Sequence, residues 1–260
     1  MPDRICVPIE SPFVSTGVFV IGGTLKAPLF HLESGDFSPL HVAPWVDSKS
    51  EEVAGRLGNL QGDFFCCPFG GNAQPVDGVL HPLHGFCAHE EWIPQERQGC
   101  FQFARGDLRI LKEVVAGEDH PAIYQKHTLS GCGKVCYGQH VMLQTGGQKV
   151  AWWTSAFHHG QVFPEVFEGP ESSGRQSLQP GGRFRRLDWV PGMGGRCYDI
   201  SRRPHAIGTE DLCQVFQVPG SQFAWHAALF PGSPSRLWVS VKSVKTLPST
   251  VIWMSEGGRD

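Results

Sequence analysis

The feature that most constrains this fold is a repeated pattern of short apolar runs, each ending near glycine or proline. β-Branched and aromatic residues fill positions 13–21, and the run stops at Gly22 and Gly23. Positions 101–104 and 108–115 flank an Arg-Gly-Asp turn, which predicts a β-hairpin. Further strand-like runs occupy positions 24–30, 122–129, 140–145, 150–154, 212–218, 223–230, 236–244 and 249–254. Strands at such regular spacing predict an all-β fold, a large antiparallel β-sandwich.

Two segments depart from this pattern. Residues 47–56 carry serines ahead of Glu51 and Glu52, which predicts a turn or two of helix. Residues 168–195 lack apolar periodicity and are rich in Ser, Gly, Pro and Arg, so we expect a long surface excursion. Its arginines are interpreted as a solvated face rather than a phosphate clamp, because no glycine-rich strand-to-helix turn accompanies them. These arginines are Arg183, Arg185 and Arg186.

Composition narrows the class of protein. A chain of 260 residues with 40% hydrophobic and 18% charged residues predicts one globular domain over residues 1–260. A net charge of −3 gives no footprint for nucleic acid, and no apolar run approaches the roughly 20 residues that cross a membrane. The nine cysteines, with Cys66 and Cys67 adjacent and no signal peptide, predict thiols in a cytoplasmic protein. We expect a monomer or a homodimer.

The densest stretch of chemical groups runs from residue 60 to residue 92. It contains three histidines, two glutamates and a tryptophan: His81, His84, His89, Glu90, Glu91 and Trp92. A cupin-like metal site on His81, His84 and His89 is one interpretation. The odd spacing of His81 and His84 opposes it, because ligands on one strand must share a face, unless Pro82 and Gly85 break the strand. Cys132 and Cys136 give only a weak zinc signal, since no second pair follows.

Metal-free acid and base chemistry is the second interpretation. His84, His127 and His140 each lie in or next to a strand-like run, and imidazole exchanges protons near pH 7. Each could equally be a buried histidine with a backbone partner. A nucleophilic thiol is a third interpretation, with Cys66, Cys67 and Cys87 as candidates, but no helix N-terminus or similar feature marks any of them as activated.

Several short motifs resemble those of one enzyme family. Leu-His-Gly at residues 83–85, preceded by Pro-Phe-Gly-Gly-Asn at 68–72 and followed by Trp92, resembles the signature of aldose 1-epimerases in the galactose mutarotase-like superfamily. Residues 126–143 are similar to that family's Asn-His segment with its downstream histidine. Residues 251–259 are similar to the Trp-x-x-x-Gly-Gly-Arg turn of uncharacterised relatives. The likeness covers most of the chain from about residue 60 onward.

This resemblance implies a β-supersandwich that binds a small sugar and opens the pyranose ring without a metal or cofactor. It implies His127 as the general acid and places His84 near the ring oxygen, so both imidazoles would have to reach one sugar-sized hollow. Glu256 would be the general base. The residues predicted to contact the sugar are Asn72, Trp92, His140 and Trp153.

Two departures leave an alternative open. The family carries arginine in a Gly-Arg-x-x-Asn-Arg segment, whereas residues 69–74 here supply Asn72 and no arginine. Relatives also continue past their Gly-Gly-Arg turn, so the base is either Glu256 or a residue in C-terminal strands that this sequence lacks. The alternative function is therefore a carbohydrate-binding protein without turnover.

Overall fold

The computed structural model describes residues 5–46, 59–75, 78–131, 133–166 and 175–257. The chain forms two compact units, residues 1–144 and residues 145–260. The predicted helix at 47–56, Cys132 and the last two residues of the Gly-Gly-Arg turn lie outside the described residues. The prediction of a single domain over the whole chain stays a prediction.

In the described part of the chain, the first unit contains nine strands in three antiparallel sheets. They are β1 (Cys6–Ser11), β2 (Val14–Phe19), β3 (Leu29–Phe30), β4 (Asp63–Cys66), β5 (Ile93–Pro94), β6 (Cys100–Arg105), β7 (Leu108–Ala116), β8 (Ile123–Ser130) and β9 (Gly138–Val141). The sheet orders are β1-β2-β3, β4-β9 and β5-β6-β7-β8. A short 3-10 turn, Phe86–Ala88, lies between β4 and β5 in sequence.

Alternation along the strands builds the core of the first unit. In β7 every second side chain is buried, and the buried set includes Ile110, Lys112 and Val114. This period of two turns one face of β7 toward the core. The same core receives apolar side chains from β1, β2, β4 and β6: Ile9, Val14, Val18, Phe65, Phe101 and Phe103.

Within its described residues, the second unit contains ten strands, again in antiparallel sheets. They are β10 (Val150–Thr154), β11 (Phe157–Val162), β12 (Arg183–Phe184), β13 (Val190–Pro191), β14 (Cys197–Tyr198), β15 (Arg202–Arg203), β16 (Thr209–Gln217), β17 (Phe223–Phe230), β18 (Arg236–Ser243) and β19 (Ser249–Glu256). The sheet orders are β15-β10-β17-β18, β12-β11-β16-β19 and β13-β14. A 3-10 turn spans Met193–Gly195.

Strand β18 is one of the edge strands of the second unit. Among the described residues, β18 pairs with β17 on one side only. Its side chains alternate, and Leu237, Val239 and Val241 are all exposed. An apolar row therefore accompanies an open strand edge.

The prediction of an all-β chain is confirmed, because the described residues form strands and short 3-10 turns. The hairpin predicted around residues 105–107 is β6 and β7. The sandwich arrangement stays a prediction. The long excursion predicted at 168–195 is wrong in part, because β12 and β13 lie within it. No described helix has the length and apolar character needed to cross a membrane.

Candidate functional site

Strand β4 separates the predicted histidines into two groups. Phe64 and Phe65 are neighbours in β4, so their side chains point to opposite faces of the strand. Phe64 contacts the rings of His84 and His140, whereas the ring of Phe65 stacks on His127 at 4.3 Å between centroids. The expectation that His84 and His127 converge on one hollow is therefore wrong, and the structure instead brings His84 and His140 together.

His84 and His140 form an aromatic cluster with Phe64. The two imidazole centroids are 5.2 Å apart with an interplanar angle of 77°. The ring of His140 stacks on Phe64 at 4.8 Å, because these residues are paired in the β4–β9 register. His84 meets the edge of Phe64 at 5.4 Å. We call His84, His140 and Phe64 the imidazole pair site.

The loop before His84 holds it in an unusual backbone conformation. Its φ is +64°, in the left-handed region that few residues other than glycine adopt. The side-chain amide of Asn72 donates from Nδ2 to Pro82 O at 2.9 Å and to Pro68 O at 3.2 Å. The backbone N–H of His84 donates to Gly70 O at 2.9 Å. Asn72 therefore positions the His84 loop, and its predicted contact with sugar stays a prediction.

Burial keeps the imidazole pair uncharged. The pKa of His84 is lowered to about 4, mainly by burial, with smaller contributions in the same direction from His140 and His89. Burial also lowers the pKa of His140 to about 4. At pH 7 a group with such a pKa is protonated about 0.1% of the time. The Nδ1 atom of His84 is buried and has no hydrogen-bond partner among the described residues. A buried polar atom without a protein partner is uncommon and is often associated with a functional role or with an ordered water or ion.

The other two histidines of the central stretch do not assemble a metal site. His89 Nε2 lies 2.7 Å from Leu83 O, and the His81 ring lies beside Phe86 at 5.4 Å between centroids. In the described part of the chain, no three His, Cys, Asp or Glu side chains are placed to share one metal ion. The cupin-like interpretation on His81, His84 and His89 is therefore wrong for this arrangement.

His127 lies on the inner face of β8, opposite Lys112 in the β7–β8 register. Burial lowers the pKa of His127 to about 2, and the charge of Lys112 contributes in the same direction. Its Nε2 atom is buried without a partner among the described residues. An imidazole this hard to protonate is a poor proton donor at neutral pH. The role implied for His127 as general acid stays a prediction that this environment opposes.

Sequence reasoning missed a buried carboxylate, Asp63, on the same face of β4 as Phe65. Asp63 accepts hydrogen bonds from Gln125 Nε2 at 2.6 Å and Gln139 Nε2 at 2.8 Å. Burial raises the pKa of Asp63, while the charge of Lys112 and the two amides oppose the rise. Lys112 itself is buried, and its Nζ donates to Gly23 O at 2.8 Å. The only signal in the sequence was a single Asp opening an apolar run.

Trp92 is a core residue in the structure. Its side chain is fully buried, and Nε1 donates to Cys87 O at 2.7 Å. The ring lies 5.5 Å from Phe103, and a methyl group on Gly23 would lie 2.6 Å from it. Both faces of the indole are thus enclosed by protein, and the predicted contact of Trp92 with sugar stays a prediction that this burial opposes.

Glu256, in the second unit, is held by four groups. Its carboxylate accepts from the backbone N–H groups of His205 and Ala206, contacts His205 Nδ1 at 2.7 Å and lies 3.7 Å from Arg203. Burial raises its pKa, but the hydrogen bonds from His205 and Ala206 outweigh burial and leave the pKa below its usual value. A carboxylate so well satisfied is a weak proton acceptor, and the predicted role of Glu256 as base stays a prediction.

His205 also connects Glu256 to a serine and a second carboxylate. Ser177 Oγ lies 3.0 Å from His205 Nε2, which resembles the spacing in a serine–histidine–acid triad. However, Ser177 Oγ donates to Asp211 at 2.6 Å, and only 6% of Ser177 is exposed. Asp211 also accepts from the backbone N–H groups of Ser177 and Leu178. The cluster is buried, so a substrate has no access to it. Its hydrogen bonds tie the segments around Ser177 and His205 to β16 and β19.

Trp153 remains an open candidate for stacking on a sugar. It lies on β10 of the second unit, opposite Ala227, and 44% of its surface is exposed. An exposed indole face is a common platform for the apolar side of a ring. Sequence alone did not show that Trp92 is buried and Trp153 exposed, because Trp92 follows the charged pair Glu90 and Glu91, whereas Trp153 lies in an apolar run.

No protein-family model matches this chain, and no curated protein matches it in sequence. Two solved structures match it over most of its length. A galactose mutarotase-like protein from Lactobacillus casei ATCC 334 is 9% identical, with a TM-score of 0.48 and coverage of 95% of each chain. A proposed aldose 1-epimerase from Escherichia coli K12 is 11% identical, with a TM-score of 0.48 and coverage of 91% of this chain and 87% of that chain.

Proposed function

We propose that the protein is a sugar-binding protein of the aldose 1-epimerase type, and that His84 and His140 contact the sugar. The observation that carries this proposal is the contact between two uncharged imidazoles, one of which has a buried Nδ1 with no described partner. An uncharged imidazole offers a donor at one nitrogen and an acceptor at the other, which suits neighbouring sugar hydroxyls. The left-handed backbone of His84 supports the proposal, because strain of this kind concentrates at binding sites.

Epimerase activity is the second candidate function of the same site. Ring opening removes a proton from the anomeric hydroxyl and delivers one to the ring oxygen. His84 and His140 can accept a proton, because both are uncharged at pH 7, but a pKa of about 4 leaves little of the acid form. The site therefore supports sugar binding more strongly than turnover. The Leu-His-Gly resemblance around His84 is what favours turnover.

The thiol-rich composition favours the cytoplasm as the compartment.

Sugar binding is tested by titration calorimetry with a panel of aldoses, among them glucose, galactose, mannose and xylose. We expect His84→Asn to weaken binding by about tenfold or more, since asparagine tolerates a positive φ but cannot reproduce the ring contact with Phe64. His120→Asn changes an exposed histidine of the same unit and should leave binding unchanged. If no aldose binds to the wild type, the proposal fails.

Turnover is tested separately by NMR exchange spectroscopy of the two anomers of each sugar that binds. Faster exchange that is lost in His84→Asn supports the epimerase. Binding without faster exchange identifies the carbohydrate-binding alternative. His127→Phe and Glu256→Gln test the roles implied by the family resemblance, and exchange that survives in both variants removes those residues from the mechanism.

A further inference from the structure

The second unit contains a cavity of about 690 Å³ that the proposed sugar site does not use. Cavities of about 300–1,000 Å³ are the usual size for small-molecule sites. This one lies where β11 pairs with β12, next to β13. Its polar lining consists of two histidines, three arginines and a tryptophan: His158, His159, Arg183, Arg185, Arg186 and Trp189. We call it the arginine cavity.

The arginine cavity carries positive charge that the described residues only partly neutralise. Asp188 binds Arg186 in a two-point contact, with Nε to Oδ1 at 2.9 Å and NH2 to Oδ2 at 2.5 Å. Arg183 and Arg185 make no ion pair or side-chain hydrogen bond with another described residue. Within the described residues, two guanidinium groups therefore have no anionic partner. Guanidinium groups match the oxygens of phosphate in a fixed fork geometry.

The two histidines add a hydrogen-bond donor to the arginine cavity. His158 Nδ1 and His159 Nδ1 are 2.8 Å apart, so one ring donates this hydrogen bond and the other accepts it. The accepting ring then carries its proton on Nε2, where it can donate a hydrogen bond. Stacking on Phe216 at 4.6 Å between centroids fixes the orientation of His159.

The cavity also has an aromatic surface. Trp189 is 66% exposed, which is unusual for so large an apolar side chain. Phe184 is buried and forms part of the lining with Pro191. An exposed indole at the edge of a charged cavity is suited to stack on a flat ring, as in nucleotide recognition.

We propose that the arginine cavity binds a small phosphomonoester that carries a flat ring, such as a nucleoside monophosphate. Phosphate fits better than carboxylate, because a phosphate group has three oxygens to share among Arg183, Arg185 and a histidine N–H, whereas one guanidinium already satisfies a carboxylate. On sequence alone, Arg183, Arg185 and Arg186 are interpreted as a solvated face. That interpretation does not take the histidines of β11 into account, because only the pairing of β11 with β12 brings them next to these arginines.

The test is titration calorimetry of the full chain with AMP, ribose 5-phosphate, inorganic phosphate and adenosine. We expect AMP to bind most tightly, ribose 5-phosphate and phosphate more weakly, and adenosine least. The double variant Arg183→Gln with Arg185→Gln should weaken AMP binding by about tenfold or more, because two charge-assisted contacts are lost. The matched control, Arg236→Gln with Lys245→Gln, removes two charges elsewhere in the same unit and should leave binding unchanged.

The variant Trp189→Ala tests the contact with the flat ring of the ligand separately from the contacts with its phosphate. It should weaken AMP binding while leaving phosphate binding unchanged, and Phe223→Ala, an exposed aromatic on β17, should change neither. Circular dichroism confirms that each variant is folded. Three results would each overturn the proposal. The first is equal affinity of the wild type for AMP and adenosine, the second is equal AMP affinity of the arginine double variant and its control, and the third is no binding of AMP to the wild type.

Discussion

His127 occupies a position where a proton is difficult to add. Its ring stacks on Phe65, its partner in register is Lys112, and burial lowers its pKa to about 2. In the unfolded chain the same ring titrates near 6.5. Between these values the unfolded state binds a proton that the folded state does not. The stability contributed by His127 is therefore fully present above pH 6.5 and is lost as the pH falls.

We expect His127→Phe to reduce this sensitivity to acid. The variant should lose less stability than the wild type between pH 6.5 and pH 4.5, by about 1 kcal/mol per pH unit. At pH 7.5 it should be as stable as the wild type or more stable by about 1 kcal/mol, since a buried ring nitrogen without a described partner disappears. Urea unfolding at four pH values measures both effects. His120→Phe, at an exposed site, is the control, and an unchanged pH slope in His127→Phe would contradict the prediction.

Single residues of the site were only partly predictable from the sequence. His84 and His140 could be named because histidines next to strand-like runs are few, and the structure places both in one cluster. The faces of β4 could not be assigned, since that requires knowing that Phe64 pairs with His140 and that Phe65 faces β8. Contacts between distant strands depend on register, which adjacent residues do not encode.

The loop that ends at Gly85 is the element that presents His84. Gly85 has a φ of +82°, and a methyl group on it would lie 2.1 Å from Cys67 O. Gly70, in the same loop system, also has a positive φ of +116°, but a methyl group there would meet nothing within 4 Å. Both glycines have a positive φ, but only Gly85 would clash on gaining a methyl group. Comparing alanine substitutions at the two positions therefore separates the cost of backbone strain from the cost of a steric clash.

We expect Gly85→Ala to be about 2 kcal/mol more destabilising than Gly70→Ala, because overpacking adds about 1–3 kcal/mol to the shared cost of a positive φ. Thermal unfolding of both variants gives the comparison. Sugar binding should also fall in Gly85→Ala, since the clash displaces the neighbouring His84. Equal stability of the two variants would show that the loop shifts to accept the methyl group.

The loop at Ser177 depends on one carboxylate of β16. Asp211 accepts from the N–H groups of Ser177 and Leu178, from the Ser177 hydroxyl and from His205. We expect Asp211→Asn to destabilise the protein by about 3 kcal/mol, because it breaks a buried charged network by removing one member. Urea unfolding measures the loss. Glu165→Gln alters an exposed carboxylate of the same unit and should have little effect; a similar loss in both variants would mean that the network contributes no special stability.

Strands were predictable where sequence alternation and core packing agree. The hairpin of β6 and β7 and the strands β17 to β19 follow their apolar periodicity. Among the strands that were missed are β1 and β11, each six residues long. β1 contains Pro8, which argues against a strand, yet its neighbours pair with β2. β11 contains two histidines and Gly160, and only the close approach of the Phe184 ring to Gly160 explains why a small residue is needed there.

At the scale of the whole molecule, length and composition predict a single domain. We expect one cooperative transition on heating, with a ratio of calorimetric to van't Hoff enthalpy of about one. The chain also divides into two compact units, residues 1–144 and 145–260, so the competing outcome is two separate unfolding transitions. Scanning calorimetry distinguishes them, because two resolved transitions would show that each unit unfolds separately and that the single-domain prediction is wrong.

The open side of β18 has a practical consequence for anyone who concentrates this protein. Among the described residues, the peptide groups on one side of β18 have no strand partner, and beside the apolar row of Leu237, Val239 and Val241 they are a template onto which a strand of a neighbouring molecule can add. Storage at high concentration should therefore be limited by slow association rather than by heat. Light scattering over several days should show Val239→Lys outlasting the wild type, since a charged side chain in the middle of the row makes a growing stack of strands repel itself.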